Sequence, residues 1–110
     1  MNDCVFCKIA RDEIPNEKAQ HESGEIMTLP DLHPVAPGHT LVIPTAHYRW
    51  FQDVPDDLSN KLFRTAKKMA KELKEKYNAD YIRLSIVGKD VPHTHVHLIP
   101  QKLSDNTPAT

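Results

Sequence analysis

Hydrophobic positions divide the chain into several short apolar or alternating stretches and one long periodic one. Leu58, Leu62, Ala66, Met69, Ala70, Leu73 and Tyr77 recur at intervals of three and four, the spacing of one face of an α-helix. Pro55 ahead of them and the acids Asp56 and Asp57 suit a helix start, so a helix is predicted over Pro55 to Tyr77, with Lys67, Lys68 and Lys71 on its solvated face. Thr40 to Pro44 is apolar and β-branched, is entered through Pro37-Gly38, and predicts a strand. Tyr81 to Val87 predicts another, followed by a turn at Gly88-Lys89-Asp90. Weaker alternation on either side of Ser23-Gly24 predicts short strands over Lys18 to Glu22 and Glu25 to Leu29. Together these elements predict an antiparallel sheet with one helix packed on a face, an α+β domain. Ser104 to Thr110 is polar and is expected to form a frayed tail.

The last strand carries the chemistry. In His93-Thr94-His95-Val96-His97-Leu98-Ile99-Pro100 three histidines recur with period two. On a strand this aims three imidazoles at one face and Thr94, Val96 and Leu98 at the other. Crowding three potential cations on one face costs stability as they protonate, so the arrangement needs a function to justify it. Imidazole attacks phosphorus, passes protons and binds borderline metals, which leaves two readings, a catalytic row or a metal site. Cys4 and Cys7 form a Cys-x-x-Cys pair compatible with redox chemistry or with zinc.

Composition narrows the partners. A chain of 110 residues fits one domain with a single core. Fourteen basic against 15 acidic residues give a formal charge of −1, so no broad basic face is available for a nucleic acid polymer and any anionic ligand must be held locally. Met1-Asn2-Asp3-Cys4 lacks the charged and apolar regions of a signal peptide, and no apolar run approaches ~18 residues. A cytoplasmic protein without membrane contact is expected, its cysteines thiols or metal ligands.

The triad is accompanied by Cys4-Val5-Phe6-Cys7-Lys8-Ile9, by Glu13-Ile14-Pro15, by the run Asp31-Leu32-His33-Pro34-Val35-Ala36-Pro37-Gly38-His39-Thr40-Leu41-Val42-Ile43-Pro44, and by His47. In this order the chain resembles the histidine triad (HIT) superfamily of nucleotide hydrolases and transferases, in its zinc-binding bacterial form, over about positions 4 to 101. The resemblance implies a HIT-like antiparallel sheet with one long helix, a domain spanning residues 1–103 with 104–110 as a polar tail, and a homodimer. It implies that His95 attacks the α-phosphate of a nucleotide to form a covalent nucleotidyl-imidazole, with His97 and His39 holding its surroundings and contacting phosphate. Asp31 matches the acid that accepts hydrogen bonds from the ribose hydroxyls, and Phe6, Ile9, Ile14 and Leu32 match an apolar slot for the base. Gly88, Lys89 and Asp90 match the loop on the leaving-group side. Cys4, Cys7, His47 and His93 match the ligands of a structural zinc ion. The implied substrate is a purine nucleoside phosphoramidate or dinucleotide-type molecule.

Two departures qualify this picture. Thr94 occupies an apolar position of the pattern, and the loop before the triad is reduced to Gly88-Lys89-Asp90-Val91-Pro92, with Asp90 where a hydroxyl commonly assists the leaving group. A carboxylate there repels anionic phosphate unless it is protonated or paired with Lys89. The shortened loop and Asp90 favour one rival, a nucleotide-binding protein of this shape with little turnover, and a second rival of another class is a zinc module in which the histidine row is a ligand cluster.

Overall fold

A computed structural model describes residues 4–16 and 18–105, so residues 106–110 of the expected tail lie outside the described residues. The elements run α1 (Val5–Ala10), β1 (Gln20–His21), β2 (Ile26–Pro30), β3 (Thr40–Pro44), a 3-10 turn (Phe51–Asp53), α2 (Asp56–Lys76), β4 (Tyr81–Val87) and β5 (His95–Gln101). The strands form one antiparallel sheet in the order β1-β2-β3-β5-β4.

α2 follows the predicted pattern. Pro55 caps it, Asp56 and Asp57 occupy its first turn, and Leu58, Leu62, Ala66, Met69, Leu73 and Tyr77 meet Ile26, Val42, Val96 and Leu98 from one face of the sheet. Burying each such aliphatic side chain contributes about 2 kcal/mol before entropy is counted. The helix stops at Asn78, whose φ of 50° takes the left-handed conformation common after a helix, while the Ala79 N–H donates to the Lys74 carbonyl at 2.9 Å. Lys67, Lys68 and Lys71 are exposed, as their positions require.

The other face is covered by α1, an element the sequence pattern does not announce. Its six residues are too few for a stable isolated helix. It is held by packing: Phe6, Cys7 and Ile9 bury against Met27, Leu29, Leu41 and Ile43.

Register places the functional strand between these layers. His97 pairs with Leu41 and Val96 with Val42, so His95 and His97 share the α1 face while Val96 and Leu98 join the α2 core. The strand begins only at His95, two residues later than the triad pattern predicts. Pro92 lacks a ladder donor, the His93 N–H turns to the Val91 carbonyl at 2.8 Å, and Thr94 gives both its N–H and its hydroxyl to the Tyr48 carbonyl, each at 2.6 Å. These bonds hold His93 and Thr94 in a loop and free the His93 ring from strand geometry.

Gly38 permits the turn that enters β3. Its φ is +87°, and a Cβ there would lie 2.6 Å from the Tyr77 ring.

Candidate functional site

Asp31 follows β2 and His39 precedes β3, so the last rung of that hairpin, Pro30 opposite Thr40, brings them side by side. The Asp31 N–H donates to the His39 carbonyl at 3.0 Å, and the Asp31 carboxylate closes the loop by accepting the His33 N–H at 2.8 Å. β5 then lays His97 against this pair. Nε2 of His39 lies 2.9 Å from Nδ1 of His97 and 3.3 Å from Oδ2 of Asp31, which is itself 3.8 Å from Nδ1 of His97.

Backbone partners fix which nitrogens carry protons. Nδ1 of His95 is 2.6 Å from the His93 carbonyl, which only accepts, so the proton sits on Nδ1 and leaves Nε2 with a free lone pair. Nε2 of His93 is 2.7 Å from the Pro44 carbonyl, so it too is the donor, and Nδ1 is left as a ligand atom. For His39 the roles reverse. The Val35 N–H donates to its Nδ1 at 3.2 Å, which places the proton on Nε2.

Burial favours the neutral form of His97 and His39. His97 is pushed down to about 4 chiefly by desolvation, helped by His95 and His39 and opposed by Asp31. His39 is lowered by the same desolvation, again against Asp31.

His95 and His97 line an open cleft of about 430 Å³. Val5, Phe6 and Ile9 of α1 form one wall, Leu29 and Leu41 belong to the sheet, and Asp31, Lys89 and Asp90 supply charge. Phe6 packs on His95 with ring centroids 5.2 Å apart, so α1 also steadies the strand's central imidazole. Such a cleft can seat a flat apolar ring together with an anionic group at the imidazoles.

Behind the cleft, Cys4, Cys7, His47 and His93 bring one ligand atom each to within 4.8 Å of the others. Sγ of Cys4 is 3.2 Å and Sγ of Cys7 3.4 Å from Nδ1 of His93, and Sγ of Cys7 is 3.2 Å from Nδ1 of His47. Tetrahedral zinc with ordinary bond lengths separates sulfur and nitrogen ligands by about 3.6 Å. The set therefore fits such an ion with small adjustments. The Pro44 carbonyl orients His93 from outside, the usual arrangement for a metal-binding imidazole.

The structure thus brings together Asp31, His39, His95 and His97, and separately Cys4, Cys7, His47 and His93. Phe6, Ile9, Lys89 and Asp90 line the cleft with them. Leu32 borders the cleft but is 75% exposed. Ile14 and Gly88 are not among its lining residues. Ile14 follows the Asp12 turn, whose φ is 59°, its N–H lies 3.4 Å from the Lys8 carbonyl of α1, and its side chain is exposed. Gly88 instead allows close packing, since a Cβ there would lie 2.9 Å from the Trp50 ring and from the Arg49 carbonyl. The sequence reading missed Val5, Leu29, Pro30, His33, Leu41, Val87 and Val91 as cleft residues. The alternation of β3 could have supplied Leu41, because it lies on the face opposite Val42. Val91, in an irregular loop, carries no such signal.

The HIT domain family matches residues 11–103. An adenosine 5'-monophosphoramidase from Saccharomyces cerevisiae is 37% identical over 100 residues, 90% of this chain and 63% of that protein. A crystal structure of a Streptococcus mutans protein superimposes with a TM-score of 0.88 at 32% identity, covering 100% of this chain and 73% of that one. A zinc-bound histidine triad protein from Mycobacterium smegmatis gives 0.86 at 28% identity, covering 96% and 80%. With the family model matching most of its length and the fold shared with these structures, the chain belongs to the HIT family.

Proposed function

We propose that this protein is a nucleotide hydrolase or transferase that cleaves purine nucleoside 5'-phosphoramidates through a nucleotidyl intermediate on His95. The observation that carries this reading is the bond from Nδ1 of His95 to the His93 carbonyl at 2.6 Å, which leaves Nε2 unprotonated on a residue lining the cleft. In the first step the Nε2 lone pair attacks the α-phosphorus, the P–N bond to the amine breaks, and the amine leaves with that electron pair and takes up a proton. In the second, water attacks the same phosphorus and loses a proton to solvent, matching the one the amine took up, the electron pair of the bond to Nε2 returns to that nitrogen, and nucleoside monophosphate is released. His97, carrying its proton on Nε2 when its Nδ1 accepts from His39, donates to a phosphate oxygen on which charge grows. Asp31 accepts from the ribose, and Phe6, Ile9 and the sheet residues hold the base. The yeast relative's adenosine phosphoramidase activity supports the substrate class.

Incubation with adenosine 5'-phosphoramidate, acid quenching and intact mass measurement should reveal an adenylyl adduct on His95. His95→Asn should lose both adduct and turnover while binding AMP within about tenfold of the parent, because it removes the nucleophile and few ground-state contacts. Retained turnover in that variant sinks the assignment.

Zinc at Cys4, Cys7, His47 and His93 belongs to the same reading, supported by the donor set and by the zinc-bound Mycobacterium relative. Its part is structural, since four protein ligands leave no place for a reacting water. A second copy of the chain as partner is supported by β4, whose outer edge pairs with no described strand and which exposes Leu84 and Val87 at 47% and 51%. Among the described residues no helix is long and apolar enough to cross a membrane.

A further inference from the structure

Asp31, His39 and His97 hold three donor atoms within 4.8 Å of one another, a grouping that could in principle take a metal ion. The Val35 N–H argues against that use. By donating to Nδ1 of His39 it keeps the proton on Nε2, the atom a metal would need bare. The cluster is instead one proton between two acceptors, Nδ1 of His97 at 2.9 Å and Oδ2 of Asp31 at 3.3 Å.

The two outcomes differ for the phosphate. When His39 donates to His97, Nδ1 of His97 is occupied as an acceptor and its single proton must sit on Nε2, ready to donate. When His39 donates to Asp31, Nδ1 of His97 loses that donor. Nothing then holds the proton on Nε2, and a bare Nε2 lone pair repels an anionic oxygen. We propose that Asp31 is a positioning residue as well as a ribose ligand: ribose hydroxyls donating to its carboxylate end its contest for the His39 proton, and so set His97 in the tautomer that donates to phosphate. The inference rests on the proposed seating of ribose at Asp31. It makes the sugar a condition for efficient phosphoryl chemistry as well as a source of affinity.

Asp31→Asn isolates the effect. Asn keeps an oxygen to accept the His33 N–H, which preserves the turn, and turns an NH₂ toward His39 that cannot accept its proton. A holder of ribose alone predicts that this variant never outperforms the parent. The positioning role predicts that, with a 2',3'-dideoxyadenosine 5'-phosphoramidate, kcat is depressed in the parent and about threefold or more higher in Asp31→Asn, whatever happens to KM. The independent readout is the pair of ¹⁵N shifts of the His97 ring in the zinc-loaded protein. They should move toward the Nε2–H tautomer on saturation with AMP, stay unmoved with 2',3'-dideoxy-AMP, and lie at the Nε2–H position in free Asp31→Asn. Equal shifts with both nucleotides, or a free Asp31→Asn protein with the parent's His97 spectrum, overturn the inference. If AMP fails to bind, the functional reading falls by itself, and the spectrum of the free variant still decides whether Asp31 competes for the proton.

Discussion

Burial keeps His97 neutral at neutral pH, and the group at its Nδ1 is the His39 ring, whose own proton is placed by a backbone amide. This neutrality has a measurable cost at lower pH. Burial, with His95 and His39 as neighbours, holds His97 at about 4, against an ordinary value of 6.5. In the unfolded chain this residue takes up its proton near pH 6.5, whereas the folded protein resists until about pH 4. The unfolded state therefore binds more protons between those limits, and stability falls as pH is lowered through that window. By pH 5 this residue alone should have cost about 2 kcal/mol. Urea unfolding at pH 7 and pH 5 should show His97→Gln losing less stability than the parent by that order. An equal loss in both proteins would mean that His97 is not the buried neutral group described. The period-two histidines are legible in the sequence, but their proton positions are not. Those depend on the carbonyls of Pro44 and His93 and the amide of Val35, groups that every residue possesses and that carry no sequence signature.

At the scale of elements, α1 and the short loop before β5 decide how the row is used. α1 has six residues and packs through Phe6, Cys7 and Ile9, so a metal joining Cys7 and the preceding Cys4 to His47 and His93 would tie it to the β3 and β5 ends. Metal binding energy then becomes folding energy. Protein purified without chelator should contain near-stoichiometric zinc by elemental analysis, and Cys7→Ser should lose it together with several degrees of thermal stability. A metal-free preparation of unchanged stability would refute the site. The loop makes a different prediction. Asp90 and Lys89 line the cleft with His95, and on the proposed reaction a carboxylate there would give poor assistance to a departing amine. Rates should climb steeply with leaving-group acidity, and Asp90→Ser should speed poor leaving groups more than good ones. An equal response across the series would remove Asp90 from the leaving-group side.

At the scale of the whole molecule, the described residues leave the long edge strand β4 unpaired on its outer side. β1 is only two residues long, a blunt edge, whereas β4 runs for seven residues and exposes Tyr81, Leu84 and Val87. Pairing β4 with a second copy would bury that surface in an isologous contact. Light scattering at micromolar concentration should give about twice the 12.5 kDa chain mass. A value at the single-chain mass, or a Leu84→Glu variant that still assembles like the parent, would count against this interface.

Periodicity by itself determined the long helix, the strands Thr40–Pro44 and Tyr81–Val87 to the residue, and the placement of His95 and His97 on one face. These patterns are local, because side-chain direction repeats every two residues in a strand and every 3.6 in a helix. The triad's company of motifs also identified the residues worth watching. Tertiary structure decided the rest. It turned Val5–Ala10 into a helix that only packing sustains, withdrew His93 from the strand toward Cys4 and Cys7, and kept Ile14 out of the cleft. It also set Asp31, His39 and His97 around one proton across 66 residues of sequence, from 31 to 97. Such groupings depend on which strands become neighbours and on what the backbone offers beside them, and distance along the chain encodes neither.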